Sequence, residues 1–284
     1  MKAKLSILLV SILIASMATA IGPENNLKKI PYTPLNQGNV QITSDPADEK
    51  HPSITLAPDG SILVAFDRKL GALEGHVYFM RSTDGTNWVE IWNTDTPIGD
   101  MENGIQNWPV ICTPPGGNCI YGSWNDEALN RIFFINITDP STPAGYEENI
   151  FAYDTTDWDY DRHTFDIAAY DMSRFAVGHV GHIIYAGYDL PSSCQITWFV
   201  GGYEGQSGIT GDEDYPYGYN NEVAVTTNLF WMVWDFPNET SGTSDLLLKW
   251  GDPLEESDCH YWPDWEITSP QADYKDPAMA ASGE

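Results

Sequence analysis

The sequence predicts an all-β fold, a β-propeller of four-stranded antiparallel blades with a repeat of about 56 residues, belonging to a truncated six- or seven-bladed ring. Three observations predict it. HPSITLAPDGSILVAFDR from His51 recurs, heavily diverged, as WPVICTPPGGNCIYGSWND from Trp108, HTFDIAAYDMSRFAVGH from His163, NNEVAVTTNLFWMVWDF from Asn220 and a short KDPAMAASGE from Lys275. Aligned on Ile54, Ile111, Ile167, Val223 and Met279, the steps are 57, 56, 56 and 56 residues, a fixed period of the kind that marks solenoids and propellers. Within each repeat, short β-branched and aromatic runs alternate with turn signals, which is the pattern of an antiparallel unit.

The first repeat shows the strands most clearly. Residues 51–56 form a first run, Pro58-Asp59-Gly60 a turn in which proline fixes φ and glycine permits positive φ, and residues 61–66 (SILVAF) a second strand. HVYFMR at 76–81 is a third strand, and residues 88–92 a fourth after the turn at 83–87. Third strands recur at 132–137, 183–188 and 246–250, and fourth strands at 149–153, 195–200 and 264–268. Blades are thus expected at about 51–95, 108–153, 163–200 and 220–268, within a propeller domain at 39–284. The bulky residues Phe66, Trp124 and Trp234, near the ends of second strands, read as core between blades.

Ile42-Thr43-Ser44 stands ten residues before Pro52, as Ile267-Thr268-Ser269 stands ten before Pro277. Residues 39–44 therefore read as an orphan fourth strand, of the sort that closes a ring by completing the last blade. The repeat from Lys275 stops after its first strand, so the chain reads as a C-terminally truncated piece of a longer propeller.

A basic start, an apolar run from Leu5 to about Ala20 and the triplet Ala18-Thr19-Ala20 have the form of a secretory signal peptide over residues 1–20, followed by a linker at 21–38. The run is short of the ~20 residues a membrane span needs. The expectation is a secreted or cell-surface protein with no membrane insertion after cleavage. Four cysteines in an exported chain predict two disulfides, Cys112 with Cys119 across one hairpin and Cys194 with Cys259 between neighbouring repeats. The net charge of −28 comes from 41 acidic and 13 basic residues. It excludes nucleic acid as a partner, because phosphate needs basic contacts.

SILVAFDR followed by HVYFMRSTDGTNW resembles the sialidase-like, Asp-box (BNR-repeat) propellers. Ser82, Asp84, Gly85 and Trp88 match that structural box with one residue missing. The resemblance implies a sialidase-superfamily propeller, in which arginines hold a sialic acid carboxylate, a Tyr/Glu pair supplies the nucleophile and an Asp the acid. The family's first arginine falls here at Lys50, in Lys50-His51-Pro52. Asp67 and Glu74, around Arg68, stand where an acid is expected. The resemblance identifies no Tyr/Glu pair in this chain.

Alternating strand direction puts the loops between fourth and first strands on one face with those between second and third strands. The acids gather there: 45–49, 95–102, 154–161, 212–214 and Asp273, joined by Asp67, Asp126 and Asp235 at the ends of second strands, with His179 at the corresponding place in the third repeat. Trp108, Trp158, Tyr160, Tyr215, Tyr217 and Tyr219 are interleaved with them. An acidic, aromatic funnel suits sugar hydroxyls and opposes an anionic sugar. Lys50, Arg68, Trp108, Asp126, Trp158, Tyr160, Tyr217 and Asp235 are the candidate ligand contacts. Asp157, Asp159 and Asp161 resemble the start of an EF-hand loop without its glycine and final glutamate, so Ca²⁺ is the one candidate cofactor. The leading expectation is a module that binds carbohydrate or another surface ligand. Its alternatives are an exo-sialidase-type glycoside hydrolase using Asp67 or Glu74, and a structural cell-surface propeller.

Overall fold

A computed structural model describes residues 40–72, 74–95, 105–127, 131–147, 153–154, 162–171, 173–185, 188–208, 218–238, 243–257, 259–267 and 277–279. The first sheet runs β1 (Asp48–Leu56), β2 (Ile62–Lys69), β3 (Gly75–Ser82) and β4 (Val89–Asn93), each paired antiparallel with the next. The turn between β1 and β2 closes as its residues dictate: Gly60 takes φ 83° and donates to the Ala57 carbonyl, and the Asp59 carboxylate accepts the Ser61 amide. β2 and β3 are buried almost throughout, because both faces of a middle strand are covered.

The second sheet contains β5 (Gln106–Cys112), β6 (Ile120–Asp126) and β7 (Arg131–Ile137), with two-residue strands β8 (Tyr146–Glu147) and β9 (Tyr153–Asp154) both pairing with β7. The third contains β10 (Arg162–Asp171), β11 (Arg174–Tyr185), β12 (Tyr188–Val200) and β13 (Tyr203–Gly208). The fourth contains β14 (Tyr219–Val225), β15 (Phe230–Asn238), β16 (Thr243–Gly251) and β17 (Asp264–Glu266). Short 3₁₀ turns at Pro143–Gly145 and Cys259–Tyr261 are the sole helical segments among the described residues. The fold is the all-β propeller of four-stranded antiparallel blades that the repeat predicts.

Three apolar clusters join successive blades. Leu63, Ala65, Val77, Phe79 and Trp92 meet Ile120, Trp124, Phe133 and Tyr146 between the first and second. Tyr121, Ile132 and Phe134 meet Phe175 and Val177 between the second and third. Ile196, Trp198 and Val200 meet Phe230, Met232, Trp234 and Leu247 between the third and fourth. Aromatic side chains dominate because a blade-to-blade gap is wide and rings fill it with few rotatable bonds.

The third blade departs from the predicted strand order. Residues 183–185 belong to the end of β11 and residue 188 opens β12, the two pairing through Tyr185 and Tyr188; residues 195–200 belong to the third strand, and β13 is the fourth. The overlooked signal is Gly201-Gly202, whose positive φ values of 59° and 94° make a two-residue hairpin turn. Nothing lies within 4 Å of a Cβ added at Gly202, so Gly202→Ala meets backbone strain alone. It is expected to cost about 1 kcal/mol in urea unfolding, and an unchanged midpoint would contradict the turn.

Residues 40–46 form no strand, unlike the orphan strand predicted at 39–44; Asn39 lies outside the described residues. A strand needs a neighbouring ladder, and this segment instead lays Ile42 against Val64, Phe66, Tyr78 and Met80 on the free face of the first blade.

The predicted disulfides are not formed, and none of the four cysteines is bridged. Cys112 and Cys119 pack in the cluster between the second and third blades, Cys194 and Cys259 in that between the third and fourth. They act as small apolar fillers, and burial pushes the Cys112, Cys119 and Cys194 thiols up. Denatured without reductant, the protein is expected to titrate four thiols. A count of zero or two would restore one or both bridges.

One contact repeats from blade to blade. A first strand is an edge strand, so half of its amides face away from the ladder. Ser53 Oγ accepts the Ile111 amide at 3.0 Å, Asp166 Oδ2 accepts the Val223 amide at 2.7 Å, and Glu222 accepts the Met279 amide. Donors and acceptors occupy the same two repeat positions each time. In the second blade Val110 has no acceptor to offer, and the Ile167 amide is taken by its own neighbour Asp166.

Candidate functional site

Every first strand is bulged where it enters its sheet: the register shifts between Lys50 and Ser53, Asn107 and Val110, Arg162 and Thr164, and Tyr219 and Glu222. Three of these bulges hold a non-glycine residue at positive φ, His51 at 47°, Trp108 at 55° and Asn220 at 47°. Such a conformation is uncommon for side chains of this size, and strain of this sort gathers where a side chain must be re-aimed. All three residues stand three positions before the repeat-aligned residue.

The first two meet. The His51 imidazole stacks on the Trp108 indole with ring centroids 3.4 Å apart and planes at 23°. Nδ1 of His51 lies 2.6 Å from Oδ1 of Asp67 at the end of β2. With the carboxylate accepting, the ring carries a proton on Nδ1. Asp67 is buried, while His51 and Trp108 are half-buried. A fixed imidazole, an indole and a carboxylate thus share the junction of the first two blades.

Polar groups continue along the same face. Gln106 Nε2 donates to the buried Asp126 at 3.2 Å, and Asn125 Nδ2 donates to Asn107 Oδ1 at 3.1 Å. In the fourth blade Asn220 Nδ2 donates to Asp235 Oδ2 at 3.2 Å. The pairing of a bulged residue with the acid at the end of the second strand therefore occurs twice, as His51 with Asp67 and Asn220 with Asp235.

The cations expected to receive an anion are committed elsewhere. Arg68 donates through Nε and Nη2 to Glu49 Oε1 at 3.0 and 2.8 Å, and Nη1 lies 3.4 Å from Asp45. Its guanidinium also sits 4.1 Å from the Tyr78 ring centroid. Lys50 Nζ lies 3.1 Å from Asp48, which leaves its charge balanced at the surface. Glu74 is exposed in the β2–β3 turn, 3.7 Å from the buried His76. His179 is fully buried and turned from the funnel: it occupies the repeat position of Phe66, Trp124 and Trp234, and its Nε2 lies 3.3 Å from Thr197 Oγ1.

Trp158, Tyr160 and Tyr217, and the calcium candidates Asp157, Asp159 and Asp161, lie outside the described residues. Among the described residues, no group of three or more His, Cys, Asp or Glu side chains converges as a metal site would. None of the described helices is long and apolar enough to cross a membrane. His51, Asn107 and Asn220 were not among the predicted contacts. Their signal is in the sequence, since His51, Trp108 and Asn220 open three of the recurring segments.

Comparison with known proteins places the fold. No protein-family model and no curated protein sequence matches the chain. Among solved structures, an α-L-arabinanase from Penicillium chrysogenum complexed with arabinobiose is similar, with TM-score 0.53 and 13% identity over 81% of this chain and 70% of that one. An α-L-arabinofuranosidase from Fusarium graminearum complexed with an iminosugar inhibitor is similar, with TM-score 0.51 and 14% identity over 81% and 71%. These similarities define the chain as a propeller of the shape those hydrolases share.

They overturn the sialidase-like assignment, because sialidases form a different superfamily. The motif that carried it has a local explanation. Ser82 Oγ accepts the Gly85 amide, and Asp84 Oδ1 accepts those of Thr86 and Asn87 at 2.8 Å. The Asn87 and Thr86 amides hold the Asp84 carboxyl well below the usual carboxylate range. Any tight turn with Asp at this place makes such bonds, so Ser82, Asp84, Gly85 and Trp88 describe a hairpin and not a family. The exo-sialidase roles given to Asp67 and Glu74 fall with it.

Proposed function

We propose that the protein is an exported glycan-binding propeller that takes an uncharged sugar chain at the junction of its first two blades, around His51, Asp67 and Trp108. The observation that carries this reading is the bulged His51–Trp108 stack held by Asp67. A sugar offers apolar C–H faces and a rim of hydroxyls, and an aromatic surface beside fixed acceptors suits both. Asn107, Asn125 and Gln106 add amides that can donate to hydroxyl oxygens.

Charge selects against acidic glycans. Arg68 and Lys50 are each balanced by their own acids, and the chain carries a net −28. A carboxylated or sulfated sugar would meet repulsion with no arginine fork to offset it. The similar solved structures support the reading to the extent that both are complexes of sugar-acting hydrolases with a sugar or a sugar mimic. The basic and apolar N-terminal segment supports export.

A glycan array tests the reading. The mature protein is expected to retain neutral oligosaccharides and to leave sialylated, uronic acid-containing and sulfated glycans at background, at both low and physiological salt. Retention of acidic glycans alone, or of none, would sink it.

A further inference from the structure

The side-chain stitch between first strands ends in a pair of carboxyl groups. Asp166 on β10 accepts the Val223 amide at 2.7 Å and the amide of Ile167. Glu222 on β14 accepts the Met279 amide and is hydrogen-bonded side chain to side chain with Asp166. Two carboxylates within hydrogen-bond reach cannot both be ionised at ordinary pH, so one proton lies between them. Asp166 receives two amide donors and Glu222 one, which leaves the charge on Asp166 and the proton on Glu222.

We propose that this shared proton gates the seating of residues 277–279 on the fourth blade: the contact is tightest in acid and loosens progressively as the pH rises through neutrality. The segment reaches the fourth blade through the Met279 amide, and its acceptor is the residue that carries the proton. Ionising Glu222 sets two half-buried negative charges against each other. The pair relieves that repulsion most readily by turning Glu222 toward solvent, which abandons Met279. The earlier stitch at Ser53 and Ile111 has a hydroxyl in the acceptor's place and does not titrate.

The surroundings leave the pair as the titrating unit. From β5, Asp166 faces the Cys112 thiol, which burial keeps protonated. From β11 it is opposite Gly178, and His179 beside it turns to Thr197. From β15, Glu222 is opposite Val233. Residues 277–279 are Pro, Ala and Met and bring no charge. Burial, then the neighbouring Asp166, pushes Glu222 up to about 8, and burial pushes Asp166 up as well. A carboxyl raised in the folded state contributes stability below its unfolded value and loses it as pH rises through the folded value. The window for Glu222 therefore runs from its ordinary 4.5 to about 8.

The test is amide hydrogen exchange of the C-terminal peptide containing Met279 in the full-length protein. It is expressed as a protection factor so that base catalysis of exchange is divided out. Protection is expected to be constant below about pH 4.5, to fall by up to about tenfold per pH unit between there and about pH 8, the slope of a single linked proton, and to level off above it. Glu222→Gln keeps a donor toward Asp166 and an acceptor for Met279 without titrating, and its protection is expected to stay flat to pH 9.5. Asp166→Asn removes the opposing charge and is expected to behave the same way, which keeps the test open if one variant does not fold. Flat protection in the wild type across pH 4.5 to 8 overturns the gate, and so does a loss over that window that persists in a folded variant.

Discussion

Trp124→Ala is expected to destabilise the protein by about 3–5 kcal/mol. Trp124 is wholly buried in the cluster between the first two blades. Its indole stacks on Phe133 with centroids 5.9 Å apart and contacts Trp92 at 6.2 Å and Phe79 at 6.4 Å. Removing it opens a cavity that these rings, each held by its own strand, cannot collapse to fill. The indole N–H is buried without a hydrogen-bond partner, so the loss is one of packing and no polar partner is orphaned. Urea unfolding checks the value through the shift in midpoint. A change below about 1 kcal/mol would mean that the blades do not rest on this residue.

Trp108→Ala is expected to act on binding and hardly on stability. Its half-buried indole stacks on one neighbouring ring, His51, and lies outside the inter-blade clusters. If the junction holds a sugar chain, the indole supplies the apolar surface, and its loss should weaken affinity by roughly 30-fold, about 2 kcal/mol, the scale of a buried aromatic anchor. The unfolding midpoint should move by less than about 1 kcal/mol. Calorimetric titration with the best neutral oligosaccharide from the array reads the first quantity and urea unfolding the second. Loss of binding together with a large loss of stability would make Trp108 a core residue instead.

Much of the architecture was legible because a propeller repeats. The period located four blades and most of their strands, and Trp124 and Trp234 fell between blades as their size and spacing implied, whereas Phe66 packs with Ile42 on the free face of the first blade. What was missed lies where one residue changes geometry. Gly201-Gly202 turns the chain only after residue 200, where the pattern had already ended the fourth strand, and this displaced the last two strands of the third blade. The bulges carry no composition signal, since His51, Trp108 and Asn220 share a backbone conformation and no chemistry. The thiols were read as bridges from number and context, whereas their placement is that of core fillers.

The candidate site was partly legible for a similar reason. Strand alternation gathered Asp67, Asp126 and Asp235 correctly to the ends of second strands. It could not show that Arg68 and Lys50 would be occupied by Asp45, Glu49 and Asp48, because those contacts depend on how the entering segment folds back over β2. Nor could it show the His51–Trp108 stack, which joins residues from two blades. The Ser82–Asp84 turn misled because a short hydrogen-bonded motif recurs wherever a hairpin needs it.

The most direct measurement is backbone hydrogen exchange of the full chain with and without a saturating neutral oligosaccharide. Sugar binding around His51, Asp67 and Trp108 predicts new protection in the peptides spanning residues 48–56 and 106–112, with the far turns at 57–61 and 226–229 unchanged. Protection confined to other segments, or no change with any neutral glycan, would contradict a glycan site at the junction of the first two blades.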